Sequence, residues 1–148
     1  MASTYLSLHF HNVFGTKNRE PLIADEWTSE LHKYLGGTIH GLGGIPHAIN
    51  GVHDHVHLLI TLKATHCLAD VMRELKKASN AWVREKQRLP SFQWQEGYAA
   101  FSVSATAKDA VRRYIDNQRE HHRQKSFREE LIEMLQTAGV EYDEKYLD

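Results

Sequence analysis

A single cysteine, Cys67, leaves this 148-residue chain without a disulfide framework and without a multi-cysteine zinc site. No stretch approaches the ~20 apolar residues that a membrane-spanning helix requires. The opening Met-Ala-Ser-Thr-Tyr lacks the basic and apolar regions of a signal peptide, so a cytoplasmic protein is the expectation. Repeats, linkers and low-complexity segments are missing too. With 41% apolar and 25% charged residues the chain is neither disordered nor fibrous, and its length suits one domain with an ordinary core.

Net charge is nearly absent as well, at −1. Spread evenly, that balance would argue against a nucleic-acid partner. It is not spread evenly. Residues 63–88 and 108–128 each hold seven basic and three acidic side chains, whereas residues 129–148 hold seven acidic side chains and only Lys145. Two basic segments are masked by an acidic end. They are read either as solvated helix faces or as phosphate contacts.

Hydrophobic periodicity orders the elements. Tyr5 to Phe14 alternates as a half-buried strand. Trp27, Leu31, Tyr34, Leu35 and Ile39 fall at helical spacing, and Gly41-Leu-Gly-Gly44 ends that helix. Ile45–Asn50 and Val52–Leu62 read as strands joined near Gly51. Leu68, Val71, Met72, Leu75, Ser79, Trp82 and Val83 mark a long second helix ending before Pro90. A strand over Tyr98–Ser104 follows. Thr106 and Asp109 have capping-box spacing for a third helix, with Ala110, Val111, Tyr114, Ile115 and Gln118 inward. A fourth helix carries Phe127, Leu131, Ile132 and Leu135 and stops at Gly139. The order β-α-β-β-α-β predicts an α+β, ferredoxin-like antiparallel sheet (split βαβ), with helices on one face and C-terminal helices added. That fold serves many activities, so function must be read from a site.

What is abundant is histidine, eleven in all. About one His-x-His pair arises by chance at that density; three occur, at 9/11, 53/55 and 55/57. Strand alternation would put His53, His55 and His57 on one face and Val56, Leu58 and Ile60 on the other. Such a row can hold a divalent metal, can supply a nucleophilic imidazole, or can be a set of hydrogen-bonded sheet histidines. Tyr114 and Gln118 would lie one turn apart on the third helix. A tyrosine, with a pKa near 10, attacks a phosphodiester only when the developing charge is stabilised, as a metal does. A carboxamide oxygen suits Mg²⁺ or Mn²⁺. From spacing alone Tyr114 reads first as a core residue of an amphipathic helix.

These residues resemble those of a known family. His55-Val-His57 is similar to the HUH motif, and Tyr114-Ile-Asp-Asn-Gln118 to the tyrosine helix of single-tyrosine transposases. These are small insertion-sequence enzymes acting on single-stranded DNA, with repetitive-palindrome-associated relatives. The similarity runs along the chain through His11-Asn-Val-Phe-Gly-Thr-Lys-Asn-Arg19, Asp54-His-Val-His-Leu-Leu59, Phe92-Gln-Trp-Gln-Glu-Gly-Tyr98 and Phe101-Ser-Val-Ser104. It implies one transposase domain over residues 1–148. It also implies His55, His57 and Gln118 as ligands of Mg²⁺ or Mn²⁺, and Tyr114 as a nucleophile forming a 5′-phosphotyrosine that a 3′-OH then resolves. DNA hairpins would be the partner, and a homodimer, with the tyrosine helix completing either subunit's site, the working unit. Lys76, Lys77, Arg84, Arg112, Arg113 and Arg119 are the charge-based candidates for phosphate contact. His53 stands where relatives often carry a non-ligand; it, His9, His11, His121 and His122 have no assigned role. Two other readings stay open. His53-Asp-His-Val-His57-Leu-Leu resembles the histidine-triad motif of nucleotide hydrolases and transferases, with His55 as nucleophile, although Asp54 breaks its alternation. A non-catalytic ferredoxin-like module could instead stack bases on Phe10, Tyr98 and Phe101.

Overall fold

Four strands form one antiparallel sheet in the order β2-β3-β1-β4. The computed structural model describes residues 3–147. In chain order the elements are β1 (His9–Gly15), α1 (Asp25–Gly41), β2 (Ile45–Val52), β3 (His55–Thr61), α2 (Leu68–Lys86), β4 (Ala99–Val103), α3 (Lys108–Asp116), α4 (Gln118–His121) and α5 (Phe127–Ala138). Short 3-10 turns lie at Lys17–Arg19, Ala105–Ala107 and Glu144–Tyr146. This is the split βαβ arrangement that the element order predicts. Among the described residues no helix is long and apolar enough to cross a membrane.

The two sheet faces have different occupants. Phe14 of β1 and Val56, Leu58 and Ile60 of β3 meet the α1 stripe (Trp27, Leu31, Leu35, Ile39) and the α2 stripe (Val71, Met72, Leu75, Val83) in the main core. Burying each of these side chains contributes roughly 1.5–3 kcal/mol. On the opposite face Val13 packs with Phe127, Leu131 and Leu135 of α5, while Leu59 and Val103 pack with Ile115 of α3. The C-terminal helices therefore cover the face on which β3 displays its histidines.

Local differences from the sequence reading have identifiable causes. β1 begins at His9, not Tyr5, because its neighbour β3 ends at Thr61 opposite His9. Tyr5 and Leu6 are left 89% and 54% exposed. The β2–β3 turn is made by His53 and Asp54 rather than at Gly51. Gly51 instead lies opposite Val56 in the ladder. A Cβ there would stand 2.1 Å from the His55 carbonyl oxygen and 2.9 Å from Val56 Cα, so the close strand approach excludes a side chain. The expected Thr106–Asp109 capping box is not formed: a 3-10 turn intervenes, α3 starts at Lys108, and the Thr106 hydroxyl pairs with Ser104 Oγ at 3.1 Å. A capping box does exist at α5, where Ser126 Oγ accepts from the Glu129 amide at 3.1 Å.

Candidate metal and tyrosine site

β3 is an interior strand, so His55 and His57 sit in the middle of a rigid sheet, both with no exposed surface. Their outer ring nitrogens are held in turn. His55 Nδ1 donates to Asp54 Oδ1 at 2.7 Å, and His57 Nδ1 lies 2.8 Å from His11 Nε2 on neighbouring β1. Those contacts turn both Nε2 atoms to the face covered by the C-terminal helices, the way outer partners orient ligating histidines. His53 does not join them. It is in the exposed turn, 3.1 Å from Asp25, which corrects the expected three-histidine row.

The helices bring three more groups to those nitrogens. α3 ends at Asp116, Asn117 leaves helical geometry (φ −98°, ψ 21°), and Gln118 opens α4. Tyr114 and Gln118 thus belong to successive helices, not to one turn of a single helix as expected. They still reach the same place. Gln118 Oε1 is 3.3 Å from His55 Nε2, and Gln118 Nε2 donates to Glu130 Oε2 at 3.2 Å. Glu130, on the inner side of α5, is the hub. Its Oε1 lies 2.9 Å from His57 Nε2, 3.0 Å from His122 Nε2 and 3.4 Å from His55 Nε2, while its Oε2 accepts from the Tyr114 hydroxyl. His122 Nδ1 is fixed by the Lys125 carbonyl at 2.7 Å, and the Phe127 ring stacks on His55 at 4.1 Å, nearly parallel.

The charges follow from these contacts. Burial would hold Glu130 protonated, but hydrogen bonds from His122, His55 and His57 outweigh it and hold the carboxyl far below its ordinary range. Burial likewise opposes charge on His55, yet Asp54 and Glu130 together raise its pKa. His57 is pushed down to about 4 by burial, only partly offset by Glu130. His11 falls to about 3 through burial and then the repulsion of His57. Tyr114 is raised above its usual value by burial and then by the Glu130 carboxylate it donates to, so its hydroxyl keeps its proton in this state.

One ligand atom from each of His55, His57, His122 and Glu130 lies within 4.8 Å of the others. Three imidazoles and a carboxylate form a donor set that first-row divalent ions accept, so the residues fit a divalent metal. Sequence reasoning placed His55, His57, Gln118 and Tyr114 in one site, and the fold brings all four together. Glu130 escaped it, being counted among the acidic residues of the tail. The signal was there: Glu130 lies three residues after Phe127 and one before Leu131, a carboxylate within the apolar stripe of its own helix. For His122 no sequence signal existed beyond its being a histidine, and for His11 only its pairing with His9 and its place in the segment that resembles the family's first strand.

The cationic candidates are dispersed. Lys76 Nζ donates to the carbonyls of Gln95, Glu96 and Gly97, and Arg84 to the Phe92 carbonyl at 2.7 Å, bracing the loop before β4. Arg112 donates to the His47 carbonyl and Arg119 to Asp25. Lys77 and Arg113 are exposed, and their side chains have no hydrogen bond or ion pair among the described residues.

The fold resembles that of a Deinococcus radiodurans R1 protein provisionally assigned as a transposase (TM-score 0.62, 24% identity, covering 80% of this chain and 96% of the other). It also resembles a REP-associated tyrosine transposase bound to a REP hairpin (TM-score 0.60, 15% identity, 82% of this chain and 74% of the other). At such identities the likeness speaks for the fold alone. No curated protein matches the chain in sequence. The histidine-triad reading has lost its first histidine to the β2–β3 turn. Residues 4–118 match the family described as "Transposase IS200 like", and the chain belongs to that IS200-like transposase family.

Proposed function

We propose that the chain, as one domain over residues 1–148, is a metal-dependent transposase that cuts and rejoins single-stranded DNA through Tyr114. One observation carries this reading: the Tyr114 hydroxyl, His55, His57 and Gln118 converge on one carboxylate within a single chain. Bound by His55 and His57 with His122, Glu130 and the Gln118 oxygen at hand, a divalent ion would polarise the scissile phosphate and offset its developing charge. The imidazole-rich set suits Mn²⁺ better than Mg²⁺.

The chain's own groups divide the remaining work. Tyr114 Oη attacks phosphorus and the bond to the 3′-oxygen breaks, leaving a 5′-phosphotyrosine and, after protonation, a free 3′-OH. Glu130 Oε2 accepts the Tyr114 hydroxyl hydrogen bond and orients the phenol, whose proton ends on the departing 3′-oxygen, while Oε1 faces the imidazoles; one side chain serves both sides of the site. His11 shares a proton with His57 Nδ1 and so lets His57 Nε2 give up its own. A 3′-OH from another end reverses the attack, and no nucleotide cofactor is consumed.

A hairpin-bearing DNA strand is the proposed partner, and the hairpin-bound state of the similar REP-associated enzyme supports that part. A homodimer in the cytoplasm, joined along the free edge of β4, belongs to the same proposal. The test is incubation with single-stranded DNA and Mn²⁺ or Mg²⁺, followed by denaturing electrophoresis. A protein–DNA adduct is expected, absent in Tyr114→Phe and absent under chelation; an adduct that persists in Tyr114→Phe refutes the assignment.

A further inference from the structure

A second cluster lies further along the same sheet face, away from the metal site. His9 of β1 and His47 of β2 both contact the hydroxyl of Thr61 at the end of β3: His9 Nδ1 and His47 Nε2 each stand 2.6 Å from Thr61 Oγ1. One hydroxyl has one proton to give, so at least one of the two imidazoles donates to it, and the rings are locked together. Their centroids are 6.1 Å apart at 80°. Ser7 Oγ lies 3.0 Å from His9 Nε2. α3 adds two cations. Arg112 donates to the His47 carbonyl at 2.7 Å, and Lys108, four residues earlier on the same helix, adds a charge that opposes protonation of both rings.

What the cluster lacks is a countercharge. Neither Lys108 nor Arg112 forms an ion pair among the described residues. Burial first, then Lys108, holds the pKa of His9 and of His47 below the usual value, with no carboxylate acting to raise either. Elsewhere on the chain Arg73 takes Asp70, Arg119 takes Asp25 and Arg123 takes Glu120, whereas Lys77 and Arg113, like Lys108 and Arg112, pair with no carboxylate among the described residues. The position also has meaning. Thr61 is four residues beyond His57 on β3, roughly 13 Å along the strand. Lys108 and Tyr114 are at opposite ends of α3, about 9 Å apart. Tyr114, Lys108 and Arg112 share α3, while His9 and His47 stand on β1 and β2 of the sheet that α3 packs against.

We propose that His9, His47, Lys108 and Arg112 form a phosphate subsite that grips a backbone phosphodiester of the single strand flanking the scissile bond. The inference rests on the reading of the chain as a single-strand DNA enzyme and adds to it a fixed distance between reacting and gripped phosphates. Donors are of the right kind: an ammonium, a guanidinium with unused N–H groups, and imidazoles that a phosphate would help to charge.

The experiment has two arms, both on the full chain with Tyr114→Phe to prevent cleavage. In the first, histidine ring resonances are followed by NMR, with His9 and His47 assigned through single substitutions. Added inorganic phosphate should move both, and Lys108→Ala should suppress the movement; no movement in the parent overturns the site. In the second, binding of single-stranded DNA is measured against salt. Lys108→Ala and His47→Asn should each weaken binding several-fold, and Lys108→Ala should reduce the slope of log K against log salt by about 0.7, one phosphate contact's worth. Mn²⁺ affinity should stay at the parent value. Unchanged slope and affinity in both variants overturn the assignment to the strand, even where inorganic phosphate binds. If the parent binds no single-stranded DNA the functional reading fails, and the first arm still decides whether the anion site exists.

Discussion

Replacing glycine by alanine should have opposite consequences at two positions of this chain, and the difference reaches the metal site. At Gly51 an added Cβ would meet three backbone atoms, His55 O at 2.1 Å, Val56 Cα at 2.9 Å and His55 C at 3.1 Å. Ordinary contact begins near 3.4 Å, so β2 and β3 must part by about 1.3 Å in a region packed without slack. Backbone cannot rotate aside as a side chain can. Overpacking of this kind costs roughly 1–3 kcal/mol, about 2–12 °C in Tm for a chain of this size. Because the displaced carbonyl is that of His55, the proposed ligand moves with it, and a displacement near 1 Å can cost ~100-fold in activity. Gly37, within α1, is the internal control: a Cβ there meets nothing within 4 Å. Gly37→Ala should stabilise by roughly 0.5–1 kcal/mol through helix propensity and leave the site alone. Thermal unfolding and calorimetric Mn²⁺ titration of both variants provide the test. Gly51→Ala with parental Tm and parental Mn²⁺ affinity would refute the reasoning, as would loss of Mn²⁺ affinity in Gly37→Ala.

Glu130→Ala removes the carboxylate shared by three imidazoles and the Tyr114 hydroxyl, and Mn²⁺ affinity measured by calorimetry should fall by at least ~10–100-fold, the loss typical of even an outer partner. Acid should destabilise the fold in a way His32 makes measurable. Burial, then the Arg119 charge, lowers its pKa from 6.5 to about 4, and its Nε2 is buried with no hydrogen-bond partner among the described residues. The folded state therefore binds fewer protons than the unfolded one between those values. Stability is complete above pH 6.5 and declines as pH falls toward 4, by roughly 3 kcal/mol for this group. Urea unfolding of His32→Leu should show a shallower acid loss than the parent. Ser126→Ala should cost about 1 kcal/mol by opening the α5 capping box, again read from urea midpoints.

Much of the architecture was legible because its signals are local. Val56, Leu58 and Ile60 alternate against His55 and His57, and Trp27, Leu31, Leu35 and Ile39 fall on one helical stripe; both patterns survive folding unchanged. The misplacements lie where tertiary contact overrides pattern. His53 continues the alternation in sequence but not in space, because Gly51 lets the strands close tightly and leaves His53 and Asp54 to make the turn. Tyr114 and Gln118 keep the spacing of one helical turn, yet Asn117 breaks the helix between them and Asn50 Nδ2 caps its end by donating to the Ile115 and Asp116 carbonyls. Nothing near residue 117 in the sequence announces a partner on β2. Glu130 was hidden differently: in an acidic segment a buried carboxylate looks like its solvated neighbours, and only its position on the inner stripe of α5 sets it apart.

The unequal occupation of the two sheet faces has an optical consequence. All three tryptophans belong to the α1/α2 side: Trp27 and Trp94 in its core, and Trp82 packed against it, stacked on Tyr34. The opposite face, with α3, α4 and α5, has tyrosine and histidine rings but no tryptophan. Tryptophan emission is thus a one-sided witness, following the integrity of α1 and α2 while staying dark to a detachment of α5. Comparing it with a tyrosine- or histidine-based signal would tell whether the half that carries the candidate site comes loose before the rest, with no label added.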